Sequence, residues 1–154
     1  MYTTFEELLK RDGSLVYKTR GVSMEPMLRQ NRDLVTIQAP VSRLQKYDVA
    51  LYKRDKGYVL HRVIGVEKDH YLIRGDNTFV LEIVPDSAVI GVLTGFQRKG
   101  RHYSVSNRAY QRYARVWCAI YPLRACCFRL RRFAGRIARK LGIWPLIKKL
   151  LRRK

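Results

Sequence analysis

Val49-Ala50-Leu51-Tyr52, a polar break at Lys53-Arg54-Asp55-Lys56-Gly57, and then Tyr58-Val59-Leu60-His61-Arg62-Val63-Ile64-Gly65-Val66 form the stretch that decides the fold. Two short runs rich in β-branched and aromatic residues, joined by a polar segment ending in glycine, read as a β-hairpin. Gly57 is expected to supply its turn. Runs of the same kind flank the hairpin at 15–17, 34–37, 71–73, 80–84 and 89–96. Turn signals separate them, among them Asn31-Arg32-Asp33, Ala39-Pro40, Gly75-Asp76-Asn77 and Pro85-Asp86. Short strands at this spacing predict a mainly β domain over residues 1–105, built as a small barrel or sandwich. Ahead of them, Thr3 or Thr4 followed by Glu6 or Glu7 makes a capping box for a short helix. Its apolar face is Phe5, Leu8 and Leu9, and it is expected to end near Gly13.

From Ser106 or Asn107 the pattern changes to a helical period. One apolar face runs through Tyr110, Tyr113, Trp117, Ile120 and Tyr121, and Pro122 is expected to interrupt it. A second face carries Cys126, Leu130, Phe133, Ile137 and Leu141. Gly142 ends that segment, and Trp144-Pro145 opens a third with Leu146, Ile147, Leu150 and Leu151. Charge divides the chain at nearly the same place. Residues 1–97 hold 14 Lys/Arg and 12 Asp/Glu, a net of +2, whereas residues 98–154 hold 18 Lys/Arg and no acid, a net of +18. A nearly neutral body therefore precedes a cationic amphipathic tail over 106–154.

Met1–Arg11 carries four charges among few apolar residues and reads as no secretory signal. No run of about 18 apolar residues supports a transmembrane helix. Cys118, Cys126 and Cys127 are odd in number, two of them adjacent, and lack CxxC spacing. They predict neither a disulfide framework nor a zinc site, and no cofactor is expected. A reducing compartment fits them.

Ser23 lies in Gly21-Val22-Ser23-Met24-Glu25-Pro26-Met27-Leu28, a stiff non-helical turn by its glycine and proline. A serine nucleophile needs a base, and the base needs an orienting group. His61, on a strand, is the suitable base, since His70 sits in a polar turn and His102 beside the basic tail. Asp76 or Glu82 could orient its ring.

Gly21–Leu28, His61-Arg62-Val63-Ile64-Gly65, Arg74-Gly75-Asp76-Asn77 and Val89-Ile90-Gly91-Val92 resemble the ordered signature boxes of type I signal peptidases. That superfamily also holds the LexA-like autoproteolytic repressors. The resemblance covers residues 15–96 and implies an all-β catalytic domain whose serine attacks a peptide bond. In bacterial signal peptidases and the repressors the base is a lysine. In the archaeal and endoplasmic-reticulum type it is a histidine, in a segment similar to Val59-Leu60-His61-Arg62-Val63. Three departures stand out. Gly21 takes the place of a hydroxyl residue that often helps the oxyanion hole, which shifts that duty to backbone N–H groups, chiefly that of Ser23. Glu82 takes the place of an aspartate beyond Gly-Asp-Asn, leaving both Asp76 and Glu82 as orienting groups. The stretch before Ser23 carries neither the peptidases' membrane anchor nor the repressors' DNA-binding domain. By the same resemblance Met24, Pro26 and Met27 would line the substrate cleft, although core packing accounts for the methionines equally well.

These expectations describe a serine endopeptidase acting on a leader, precursor or signal-like peptide. The tail would hold it at the cytoplasmic side of a bacterial membrane, through Trp117, Arg129, Arg131, Arg132, Phe133, Arg136, Trp144, Lys148 and Lys149 on an anionic surface. Competing readings are a non-catalytic peptide-binding module, nucleic-acid binding through the tail, and docking of the tail on a partner protein or on the body.

Overall fold

A computed structural model describes residues 4–55 and 57–140. Helix α1 (Phe5–Asp12) starts on a capping box: the Glu7 amide donates to Thr4 Oγ1 at 3.2 Å, and the Thr4 amide donates to Glu7 Oε2 at 3.0 Å. Gly13 ends it in the left-handed region, at φ 70°, where a Cβ would be strained. Strands follow at Ser14–Lys18 (β1), Leu34–Gln38 (β2), Val49–Arg54 (β3), Gly57–Val66 (β4), His70–Arg74 (β5), Glu82–Pro85 (β6), Val89–Arg98 (β7) and Arg101–Ser104 (β8).

The eight strands make one antiparallel sheet in the order β1-β2-β7-β3-β4-β5-β6, with β8 pairing the Gly95–Arg98 end of β7 beyond the Val89–Val92 stretch that pairs with β3. The mainly β class holds, but the sheet is not closed into a barrel. Among the described residues β1 and β6 remain at opposite ends without pairing to each other. Register shifts at Thr36/Ile37, Leu51/Tyr52 and Val63/Gly65 bend it. Alternate side chains then feed two cores. Leu51, Leu60 and Leu93 join Leu9, Met24, Met27 and Leu28 in one, while Ala50, Tyr52 and Val63 join Tyr71, Ile73 and Val84 in the other. Burial on both faces explains why β3 and β4 read as continuous apolar runs rather than strict alternation.

The β3–β4 hairpin is present with a different turn. Arg54 pairs with Gly57, so Gly57 is already the first residue of β4, and Asp55 takes the left-handed conformation at φ 49°. Asparagine and aspartate tolerate that region better than other side-chain-bearing residues. Strand β8 was not foreseen. It follows Lys99 and Gly100, both at positive φ, and its Arg101-His102-Tyr103-Ser104 is exposed throughout.

The chain divides into two compact units, residues 1–118 and 119–154. Helix α2 (Arg108–Ala119) is capped by Asn107, whose Oδ1 accepts from the Ala109 amide at 2.8 Å. All but its last residue belong to the first unit, so the aromatic face assigned to the tail sits on the body: Tyr110 and Tyr113 pack against the first core, and Ala114 is buried. Helix α3 (Tyr121–Lys140) lies in the second unit. Pro122 occupies its first turn, where a missing N–H is harmless, rather than breaking a longer helix. Leu123, Leu130, Phe133 and Ile137 are exposed along α3, with Cys126 and Cys127 also exposed as free thiols. No described helix is long and apolar enough to cross a membrane. The expected third segment, with Trp144, Lys148 and Lys149, lies outside the described residues.

Candidate active site

The loop carrying Ser23 is tied down from behind. Thr19 is buried; its amide donates to the Asp33 carbonyl at 3.2 Å and its hydroxyl to the Arg29 carbonyl at 3.2 Å. Asp33, fully buried, accepts from the Arg29 amide at 2.9 Å and from Arg32 Nε at 2.6 Å. Burial opposes the charge on Asp33, but these donors outweigh it and hold its pKa below the usual carboxylate range. Arg98, at the end of β7, donates through Nη2 to the carbonyls of Pro26 and Met27. Leu28 closes the turn by donating its amide to the Met24 carbonyl at 2.9 Å. Met24, Met27 and Leu28 are buried beneath it.

The Gly75-Asp76-Asn77 turn grips the serine from the other side. The Asn77 amide donates to the Ser23 carbonyl at 2.7 Å, and its side-chain amide donates to the Val22 carbonyl at 3.2 Å. Gly75 is the contact point with the histidine. A Cβ built there would lie 2.7 Å from the Ser23 carbonyl oxygen and 3.0 Å from His61 Nε2. One glycine thus keeps the serine backbone and the basic ring nitrogen close across a bare Cα.

His61 is buried on β4, and its other nitrogen faces an acid. Nδ1 lies 3.0 Å from Glu82 Oε1. A carboxylate only accepts, so Nδ1 carries the proton and Nε2 presents its lone pair. Glu82 also accepts from the Tyr52 hydroxyl at 2.8 Å and from Arg54 Nη1 at 2.9 Å. Burial works against ionisation of Glu82, yet those hydrogen bonds prevail and hold its pKa below normal. For His61 burial is the largest influence, and it depresses the pKa below the ordinary 6.5 despite the pull of Glu82. The ring is therefore neutral at pH 7, the state a general base requires.

Asp76 has another partner. It is buried and takes a bidentate grip from Arg62, Nε to Oδ1 at 2.8 Å and Nη2 to Oδ2 at 2.7 Å. Arg62 is itself 1% exposed and donates further to the Tyr47 carbonyl at 2.9 Å and the Tyr110 hydroxyl at 3.2 Å. Helix α2 completes this cluster. The Tyr113 hydroxyl donates to Asp76 Oδ2 at 3.4 Å, and Trp117 Nε1 donates to the Asp76 carbonyl at 3.0 Å. Of the two candidate acids, Glu82 faces the His61 ring, and Asp76 braces the turn beneath Ser23.

Ser23, His61 and Glu82 line one cleft of about 1110 Å³. Strand β5 pairs with β4 only from Arg62 to Val66, so among the described residues Tyr58–His61 have no strand neighbour on the side away from β3. The cleft lies along that open edge, which is why residues of both strand faces line it. Met24 borders the cleft. Met27 packs in the core with its sulfur 3.0 Å from Arg62 Nη2, and Pro26 is exposed, its carbonyl bound to Arg98.

No protein-family model matches the chain, and no curated protein matches it significantly.

Among the described residues no three of His, Cys, Asp and Glu form a group able to hold a metal ion. Trp117, expected at a membrane, instead has its indole N–H bonded within the body and its ring stacked on Tyr113 at 5.8 Å. Arg129, Arg131, Arg132, Phe133 and Arg136 are exposed on α3. Sequence reasoning missed Tyr52, Arg54, Arg62 and Arg98. Arg62 alone left a trace: a charge inside an apolar run must have a buried partner.

Proposed function

We propose that this protein is a serine endopeptidase using Ser23 as nucleophile, His61 as base and Glu82 as the group that orients the base. The supporting observation is the three-way arrangement at Gly75: the Ser23 backbone and His61 Nε2 meet at one Cα, and Glu82 holds Nδ1. Ser23 Oγ attacks the substrate carbonyl while Nε2 takes its proton, and Glu82 stabilises the resulting imidazolium. The oxyanion falls to backbone N–H groups beside Ser23, because Gly21 brings no hydroxyl. His61 returns the proton to the leaving amine, then activates water to free the acyl-serine. An extended leader, precursor or signal-like peptide fits the open edge of β4, where among the described residues Tyr58–His61 pair with β3 alone and leave the other side to a substrate strand.

Helix α3 suits the plane of an anionic membrane surface. Its exposed Leu123, Leu130, Phe133 and Ile137 make an apolar stripe that phosphate binding alone would not call for. Each of its arginines near an anionic leaflet contributes about 1 kcal/mol. Sedimentation with anionic vesicles, compared with capture on duplex DNA, tests this: a preference for DNA rejects the membrane reading.

Reaction with a serine-directed electrophile, read by intact-protein mass, tests the chemistry without a known substrate. The wild type is expected to gain one adduct at Ser23. Ser23→Ala should gain none, and His61→Ala should react at least about 10³-fold more slowly. Equal labelling of the wild type and Ser23→Ala rejects the assignment.

A further inference from the structure

Three aromatic rings share the cleft with the proposed catalytic groups and take no part in their chemistry. Phe5 stacks on Tyr58 with centroids 4.7 Å apart and an interplanar angle of 17°, and it meets Tyr17 at 5.0 Å. All three are half-buried and line the cleft, with Leu28 and Leu60 beside them. Tyr58 precedes His61 by three positions on β4, on the order of 10 Å along the strand. The ring is fixed from α1, because the Tyr58 hydroxyl donates to Glu6, which also pairs with Lys53 at 3.2 Å. Burial in this corner pushes the Tyr17 hydroxyl up to about 12.

The wall next to the rings is positively charged. Lys18 and Arg20 line the cleft, are exposed, and have no carboxylate partner among the described residues. The third cation of the lining, Arg54, is matched by Glu82 at 2.9 Å, and Glu82 is the one acid among the lining residues. Residues 1–97 as a whole are nearly neutral, so this excess is local and does not simply reflect the basic tail.

We propose that the cleft selects extended peptides bearing a bulky apolar side chain a few residues from the scissile bond, with an acidic residue beside it. The proposal rests on the reading of the cleft as a peptide groove. The apolar side chain seats against Phe5, Tyr17 and Tyr58, where aromatic faces offer large contact area at low entropy. The acid meets Lys18 and Arg20 at the rim, where charge sets partner choice more than affinity.

The full-length Ser23→Ala protein, which cannot turn over, provides the binding assay. Short fluorescent peptides carry Phe or Ala at each scanned position and Glu or Lys next to it, and Kd is read by anisotropy. Phe–Glu peptides are expected to bind about tenfold or more tighter than Ala–Lys peptides at one position. Lys18→Glu with Arg20→Glu should reverse the acid preference. Tyr58→Ala should erase the Phe preference, and Tyr58→Phe, which loses the hydroxyl contacts to Glu6 and the Phe5 backbone but keeps the ring, should keep it. Equal binding across the panel, or charge reversal without effect, overturns the selectivity. The wild-type protein separates this result from the peptidase reading. Selective binding without cleavage of any tight binder supports the selectivity and rejects the peptidase. Cleavage of Ala–Lys and Phe–Glu peptides at equal kcat/KM does the opposite.

Discussion

Gly75→Ala adds a single methyl group at the point where the candidate site is tightest. The new Cβ would stand 2.7 Å from the Ser23 carbonyl oxygen, 3.0 Å from His61 Nε2 and 3.1 Å from His61 Cδ2, where ordinary contact begins at 3.4 Å. Neither neighbour yields easily. The Ser23 carbonyl is held by the Asn77 amide at 2.7 Å, and the imidazole by Glu82 at 3.0 Å. Relief therefore requires the Ser23 turn and the histidine to move apart by a good fraction of an ångström. Overpacking of this kind destabilises a domain by about 1–3 kcal/mol, which lowers Tm by several degrees in a domain of this size. The effect on chemistry should be larger in relative terms, because displacing a catalytic group by about 1 Å lowers rates by about 10²-fold. Thermal unfolding followed by circular dichroism gives the first quantity, and the second-order rate of adduct formation at Ser23 gives the second. A Gly75→Ala protein that labels at the wild-type rate, at a temperature where both are folded, would refute the placement of Ser23 against His61.

Glu82→Gln should lower the plateau labelling rate by about 10²- to 10⁴-fold, because a neutral amide no longer fixes the tautomer or stabilises the imidazolium. Its effect on pH dependence has a definite sign. Under the proposed mechanism the reactive form is neutral His61, whose pKa already lies below 6.5 because of burial, while Glu82 pulls it upward. Removing that charge lets the pKa fall further, so the acid limb of the rate profile should move to lower pH; movement to higher pH contradicts the contact. Asp76→Asn leaves the guanidinium of Arg62 buried without its counter-charge and should destabilise the fold by about 3–5 kcal/mol in urea titrations. Arg62→Met combined with Asp76→Asn should be milder than Asp76→Asn alone, since no uncompensated charge then remains buried. A double variant as damaged as the single one would show that the ion pair is not the source of the loss.

Local signals carried the strand assignment well. The apolar runs, the Thr4–Glu7 capping box and the glycine that ends α1 act within a few residues, and each is where the pattern put it except the run at 80–84, whose strand begins only at Glu82 and leaves Val80 and Leu81 exposed. Less legible were choices that depend on distant neighbours. Whether Asp76 or Glu82 faces His61 turns on which of them meets Arg62, a contact across 14 residues of sequence that no spacing encodes. Strand β8 escaped because Arg101, His102, Tyr103 and Ser104 are exposed, so no buried face imposed a period on them. The open sheet was equally hidden, since closure depends on bends at three bulges and not on the composition of any strand. An apolar helical stripe shows that α2 must be covered, but not by what; Tyr110 and Tyr113 are covered by the body's own core.

Hydrogen bonds run from Trp117 through the Asp76–Asn77 peptide to the Ser23 carbonyl, so α2 and the Ser23 turn share one peptide unit and are expected to be thermodynamically linked. Linkage is reciprocal: if a bound peptide stiffens the Ser23 turn, α2 is seated more firmly by the same factor. Anything that draws α2 from the sheet slackens the serine to an equal degree. Hydrogen exchange at the amides of α2, measured with and without a peptide in the cleft, would then report occupancy from a helix that does not line the cleft.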